Sequence, residues 1–390
     1  IVNIERWPEN NQPEAIGKIT EVLGKPGENE TEMHAIMAEF NLPFHFDPKL
    51  EKEAKNLTDV ISENEVKKRE DFRKTTTFTI DPDTAKDFDD ALSIKSMSEG
   101  IWEIGVHIAD VSHYVKPGGI IDAEAYERGT SVYLVDRVVP MLPERLSNEL
   151  CSLRPHEDKL CYSVIFEIND QAIVLNSRIV KTVIHSDHRF TYEQAQEIIE
   201  GKQHTLGKEV STLDTLAKAL RKKRLKQGAI AFDKLEVGFE LNEKGEPIGI
   251  FTKHHREAHH LIEEFMLLAN RTVAEKIGKH EKGKPRRPFV YRIHDNPDPE
   301  KLKVFSDFIR KFGYRIQTRE PGKLTDSFNK LFKEIEHTAE ENVIEQMAIR
   351  TMSKAVYSTD NIGHYGLAFQ HYTHFTSPIR RYPDLIVHRL

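Results

Sequence analysis

Between Thr79 and Ala91 the run TIDPDTAKDFDDA sets five aspartates, Asp81, Asp83, Asp87, Asp89 and Asp90, within ten residues. Carboxylates this crowded must be solvated, paired with cations or bound to metal, because their mutual repulsion opposes ionising the whole set. A solvated acidic loop is one possibility. Its neighbours favour an anchored one: Pro82 stiffens the exit from a β-rich run, and Phe88 and Ala91 can pack against a core. Hard oxygen ligands on a fixed loop suit Mg²⁺, with Mn²⁺ as a substitute. An EF-hand is excluded: counting from Asp81 puts Lys86 where Gly is needed and Leu92 where Glu is needed, and counting from Asp87 gives Leu92 and Ser98. Carboxylate-held Mg²⁺ is the chemistry of phosphodiester cleavage or phosphoryl transfer. A nucleotide phosphotransferase would also need a GxxxxGK[ST] phosphate loop, and no such run occurs.

A phosphate-bearing substrate needs cations as well. In HYTHFTSPIRRYPD, Pro378 is placed to open a helix, so Arg380 and Arg381 are expected in its first turn, where guanidinium forks and the helix dipole both favour phosphate. Tyr372, Thr373, Phe375, Thr376 and Ser377 could stack bases there or form a packed loop. Two basic stretches, RKKRLK at 221–226 and the set Lys276, Lys279, Lys282, Lys284, Arg286 and Arg287, suit a phosphate backbone or a solvated surface equally. His254, His255, His259 and His260 lack the HExxH order of a zinc site. His107 and His113 are read as packing or hydrogen-bonding residues. Cys151 and Cys161 have no CxxC partner and are expected to be buried, reduced thiols.

The elements that position these residues follow from patterning. The chain has 390 residues, and its 56 basic against 63 acidic side chains leave a net charge of −7, so any polyanion must be held by local patches. No run approaches the roughly 18 apolar residues that cross a bilayer, and no secretory signal opens the sequence. A cytoplasmic protein without a membrane partner is expected. Ile1 in place of Met points to a piece of a longer chain. Residues 1–74 read as the tail of one domain plus a helical linker, in which Ser62 and Glu65 have capping-box spacing. From 75 to about 190 strands dominate, interrupted by helices near Asp122 and Ser147, and beyond Thr191 helices dominate. One helix is expected over 211–228, one long core helix over 255–279, two more helices through 324–357, and a strand, loop and helix at the end. The class is α+β, with one large antiparallel or mixed sheet.

The blocks DPDTAKDFDDA, VHIADVSHYV, RGTSVYL, LIEEFMLLAN and HFTSPIRRYPDL together resemble, in order, the catalytic (RNB) domain of the ribonuclease II and ribonuclease R family. The resemblance spans about 75–390. RWPENNQPEAIGKITEVLGKPGE at 6–28 resembles the end of that family's cold-shock/OB β-barrel domain, so the expected domains are an OB-type remnant with linker at 1–74 and an RNB domain at 75–390. Such a domain packs helices on a mixed sheet around an RNA channel. The family implies a Mg²⁺-dependent exoribonuclease of the ribonuclease II type, hydrolysing single-stranded RNA processively from its 3′ end to nucleoside 5′-monophosphates. Carried over, Asp81, Asp87, Asp89 and Asp90 bind metal and orient the attacking water, while Asp83 falls outside the set. Tyr133 matches the tyrosine that packs on the terminal nucleotide, or is a core tyrosine. Phe232 in GAIAFD resembles the aromatic that closes the other end of the base stack. Arg380 matches the arginine on the scissile phosphate, with Arg381 the neighbouring substrate-binding candidate. Flanking OB-type RNA-binding domains are implied in the full-length chain, and an enclosed channel makes a monomer the expectation. The rival is a catalytically silent RNA-binding protein on the same fold, whose mark would be a broken acidic motif. Here all four aspartates are present.

Overall fold

A computed structural model of the chain describes residues 1–9, 13–43, 45–231, 236–243, 245–253, 255–279, 288–317 and 321–390. Its centre is a seven-stranded mixed sheet built from β1 (Glu70–Asp71), β2 (Thr77–Asp81), β3 (Asp90–Ser98), β4 (Ile101–Ala109), β5 (Asp158–Asn169), β6 (Val174–His185) and β7 (His188–Thr191). The spatial order is β7-β2-β3-β4-β5-β6-β1. The four inner junctions are antiparallel, and the two outer ones, β7 on β2 and β6 on β1, are parallel.

Period-two alternation sorts the side chains of these strands into two cores. Ile104, Val106 and Ile108 of β4 and Val164, Phe166 and Ile168 of β5 face one cluster, while Ala109, Cys161 and Ile165 face the other. The first core is covered by α1 (Tyr192–Ile199), α2 (Gly207–Lys226) and α3 (Glu257–Val273), which bring in Ala195, Leu213, Leu261 and Phe265. With helices on one face and the segments around Val111, Leu146 and Leu153 on the other, β2 is buried along all five residues.

α3 presents the expected stripe, with Leu261, Ile262, Phe265, Ala269 and Val273 buried. A π-type turn, Ala274–Gly278, extends it. α2 stops at Lys226, and Gly228 just beyond its C-cap has a φ of +95°, a conformation glycine adopts without the steric cost other residues incur. A third core joins Pro299–Arg310, Pro321–Ile335 and Glu341–Thr351 through Phe305, Phe328, Leu331 and Ile344. Among the described residues no helix is long and apolar enough to cross a membrane.

Four local expectations are revised. The sheet begins at Glu70, before the boundary expected near residue 74, because Glu70–Asp71 is added edge-on to β6 and is too short to carry a periodic signal. Ser62 does cap a helix, its Oγ accepting from Glu65 N at 3.2 Å, but that helix is a single turn, Glu63–Val66. Val356 and Tyr357, at the end of the stretch expected as helix over 324–357, lie instead in a strand, Val356–Ser358, against Tyr291–Ile293. The strand expected near Gly366 is replaced by the 3₁₀ turn Tyr365–Leu367, followed by Ala368 at a φ of +55°.

Candidate active site

The acidic loop leaves β2 at Asp81 and enters β3 at Asp90. These two strands pair only through Thr77 with Ser93 and Phe78 with Leu92, so beyond Phe78 they separate and the loop fills the gap. It is stitched down on both sides. Phe88 is buried as its apolar character required, its N–H donates to Ser152 Oγ at 3.0 Å, and that hydroxyl donates to Lys86 O at 2.7 Å. Ala109 N donates to Asp89 O at 2.9 Å, and Arg189 of β7 donates to Pro82 O and Asp83 O.

Asp81, Asp87, Asp89, Asp90, Tyr133, Arg380 and Arg381 all line one cleft of about 400 Å³. Asp83 does not. Its side chain is 83% exposed, 3.6 Å from Arg189. Asp89 lies deepest, only 4% exposed: Oδ1 accepts from Ile379 N at 2.9 Å and Oδ2 lies 3.3 Å from Arg380 Nε, joining segments 290 residues apart. Tyr133 is 52% exposed, so it is not a core tyrosine, and its hydroxyl donates to Asp87 Oδ2 at 3.2 Å.

The two arginines are not in the first turn of a helix. The helix is α4 (Tyr382–His388), with Arg381 as its extended N-cap and Arg380 in the turn before it. Arg381 alone is held extended, bridged to Thr130 through Ser131 N to Arg380 O and Tyr382 N to Gly129 O, and Pro383 delays helix entry. A helix dipole therefore carries no weight in the phosphate argument. Arg381 is gripped by the fully buried Asp384, at 3.0 Å from Nε and 2.7 Å from Nη2, and Asp384 also accepts from Ser377 N at 2.8 Å. Arg380, with 45% of its side chain exposed, is the freer guanidinium.

Burial pushes the Asp89 carboxyl up to about 8; Arg380 and Ile379 N–H pull it back, and Asp87 and Asp90 add to the rise. Asp81 and Asp90 are also raised, by burial first and then by neighbouring carboxylates. Asp81 Oδ2 and Asp89 Oδ2 are buried without a hydrogen-bond partner. Without an added cation the ionised set is costly, and a divalent ion would offset that cost. Among the described residues no three His, Cys, Asp or Glu side chains are grouped closely enough to hold a metal ion by themselves. Mg²⁺ is commonly held by one or two carboxylates, with water and substrate phosphate completing its shell, so an oxygen-only, incomplete donor set suits it.

Other candidates are used differently. In RKKRLK, Arg224 is buried against Glu264 at 2.5 Å and Lys223 donates to Gln171 O and Ala172 O, so helix docking takes these two charges, while Lys222 and Lys226 are exposed. The His259 ring stacks on Tyr192 at 4.0 Å. His107 is buried between Ser93 and Ser163, each at 2.8 Å, and both cysteines are buried thiols. Phe232, His254, Lys282, Lys284, Arg286 and Arg287 lie outside the described residues.

Tyr192, Glu263, Asn270 and His374 also line the cleft without having been singled out. A signal existed for Asn270, a polar residue on an apolar helix face; it donates to Tyr372 Oη at 3.2 Å and accepts from Phe375 N at 2.8 Å. Tyr192 carries no sequence signal, because it reaches the cleft only through the parallel pairing of Thr191 with Asp81.

Fold and cleft together define an α+β domain with one carboxylate, arginine and tyrosine site at the diverging ends of two strands. The RNB domain model matches residues 69–390, and the chain belongs to that family. A cold shock domain model matches residues 1–47. The expected family and fold class are thus borne out. The chain is 41% identical over its whole length to Ribonuclease R of Aquifex aeolicus, covering 55% of that protein. Mycoplasma genitalium RNase R, solved in complex with ribose methylated single-stranded RNA, superposes with a TM-score of 0.90 at 29% identity, over 100% of this chain and 60% of that one. Yeast Ssd1, described as a pseudonuclease, shares the fold at 23% identity and a TM-score of 0.74, over 100% of this chain and 48% of that one. The chain spans about half the length of the curated relatives it matches.

Proposed function

We propose that this chain is the catalytic part of a cytoplasmic, monomeric 3′-to-5′ exoribonuclease of the ribonuclease II type. It hydrolyses single-stranded RNA processively to nucleoside 5′-monophosphates with Mg²⁺, between flanking OB-type RNA-binding domains. The observation that carries this is the meeting, in one cleft of an RNB domain, of four aspartates with Arg380 and Tyr133.

Asp81, Asp87, Asp89 and Asp90 would hold the cation. When bound, Mg²⁺ (or Mn²⁺) supplies Lewis acidity, lowering the pKa of water and neutralising charge at the scissile phosphate. Asp89 accepts from Ile379 N and pairs with Arg380, which fixes the distance between the carboxylates and the guanidinium. Arg380 is then free on its exposed side to take the scissile phosphate as a charge-assisted donor. Tyr133, its hydroxyl anchored on Asp87, offers its ring to the terminal base, and Phe232 is assigned the far end of the stack. Arg381 acts through Asp384 to position the 377–381 loop. Stacking without reading base edges gives a sequence-independent grip.

The test is a 5′-labelled single-stranded RNA with and without Mg²⁺, beside a matching DNA. A ladder shrinking from the 3′ end on RNA with Mg²⁺ is expected, and endonucleolytic fragments or Mg²⁺-independent cutting would refute it. RNA that is bound yet uncut would favour the silent RNA-binding alternative, for which Ssd1 shows only that the fold does not itself guarantee activity.

A further inference from the structure

Arg292, Tyr357 and His374 sit together beside the cleft and have no part in the chemistry assigned above. Tyr291–Ile293 and Val356–Ser358 form a two-stranded antiparallel ribbon in which Arg292 is directly opposite Tyr357. The guanidinium carbon lies 4.7 Å from the Tyr357 ring centroid, within cation–π range. Arg292 N donates to Tyr372 O at 2.9 Å, tying the ribbon to the loop that ends in Arg380. Tyr357 Oη and His374 Nδ1 are 2.7 Å apart, and His374 lines the cleft together with Arg380.

The charges are unbalanced here. Arg381 is matched by Asp384 and Arg380 by Asp89, but among the described residues no ion pair joins Arg292 to a carboxylate. A half-buried guanidinium braced on an aromatic face, in a chain of net charge −7, has its counter-ion still to come. His374 is kept neutral: burial first, and then the charges of Arg381, Arg292, His364 and Arg380, together lower its pKa to about 2. In the tautomer in which Nδ1 accepts the Tyr357 O–H, the neutral ring carries its proton on Nε2, a donor that does not titrate near neutrality.

We propose that Arg292 and His374, braced by Tyr357, form a second phosphate subsite that holds a backbone phosphate of single-stranded RNA upstream of the linkage at the aspartates. The substrate class rests on the exoribonuclease assignment, but the subsite is testable by binding alone. Guanidinium supplies the charge and the fork, and neutral imidazole adds a directional N–H.

The experiment measures the affinity of this chain for a fluorescein-labelled single-stranded RNA in EDTA, where nothing is cut, across a range of KCl concentrations. Arg292→Met keeps the apolar stem and removes the charge. It is expected to weaken binding about tenfold at moderate salt and to flatten the slope of log K against log salt by about 0.7, the contribution of one phosphate contact on a single strand. Arg292→Lys should restore the slope, which separates lost charge from lost folding. His374→Ala should weaken binding about threefold, a neutral hydrogen bond's worth, and leave the slope unchanged. An unchanged slope in Arg292→Met, a slope not restored by lysine, or no RNA binding by the parent chain would each overturn the subsite. Failure of the exoribonuclease assignment reads differently: RNA bound with the expected slopes but not shortened when Mg²⁺ is supplied.

Discussion

Asp89→Asn should have opposite effects on activity and on stability. The carboxyl is 4% exposed, and in the protein without divalent ions burial raises it to about 8, against roughly 3.9 for an unfolded aspartate. Between those two values the folded protein holds a proton that the unfolded chain has released, so stability falls as pH rises, by about 1.4 kcal/mol per unit. At pH 7 the limiting cost is about 4 kcal/mol, and above pH 8 no more accrues. Asparagine is neutral at every pH and keeps an oxygen for Ile379 N, so it escapes this cost. In EDTA, the melting temperature of the parent should fall between pH 5 and pH 8, and that of Asp89→Asn should fall less, becoming the higher of the two near pH 8. With Mg²⁺ restored, the same variant should lose at least about 10³-fold in RNA hydrolysis, equivalent to about 4 kcal/mol of transition-state stabilisation. Thermal melts at several pH values and a gel assay on labelled RNA read both effects. Melting profiles that run parallel, or a variant retaining more than about a hundredth of the parental rate, would refute the reasoning.

Asp110 should behave as the reverse case: burial opposes its ionisation, but Arg69 at 2.7 Å and Lys181 at 3.2 Å outweigh burial and hold its pKa well below the usual carboxylate range. Its stabilisation is complete above pH ~4 and is lost as pH falls below that, and Asp110→Asn should cost about 3 kcal/mol in urea denaturation at pH 7 by removing one of the two carboxylates on Arg69, 1% exposed, and leaving it with Glu65 at 2.8 Å; a loss under about 1 kcal/mol would contradict this. Gly105→Ala should destabilise by about 2 kcal/mol or more, because a Cβ there would lie 2.4 Å from both His107 Nε2 and Ser93 Oγ inside a buried hydrogen-bonded cluster, and an unchanged denaturation midpoint would show that the cluster yields cheaply.

Much of the site was legible because its residues are close in sequence or carry strong local signals. Asp81 to Asp90 form one short loop, Phe88 marked that loop as anchored, and α3 announced itself through its apolar period. The arginines were legible as residues but not as geometry. Pro378 and Pro383 both signal helix entry, and only the pairing of Arg381 with Thr130 settles that 378–380 stay a turn and that the helix begins at Tyr382. RKKRLK shows the converse: its composition suited a phosphate backbone, yet Arg224 is consumed by Glu264, forty residues away.

By itself, then, the sequence determined which carboxylates crowd together, that strands dominate up to about residue 190 and helices beyond it, and that α3 is a core helix, since these follow from spacing within a single element. The tertiary structure alone decided that Ile379 N–H and Arg380 close on Asp89, that Tyr133 reaches Asp87, that Tyr192 enters the cleft beside Asp81, and that Arg292 forms no ion pair with a carboxylate among the described residues. The physical reason is range. Backbone propensity and periodicity act over a few residues, whereas burial, desolvation and ion pairing depend on which distant segments the folded sheet brings into contact.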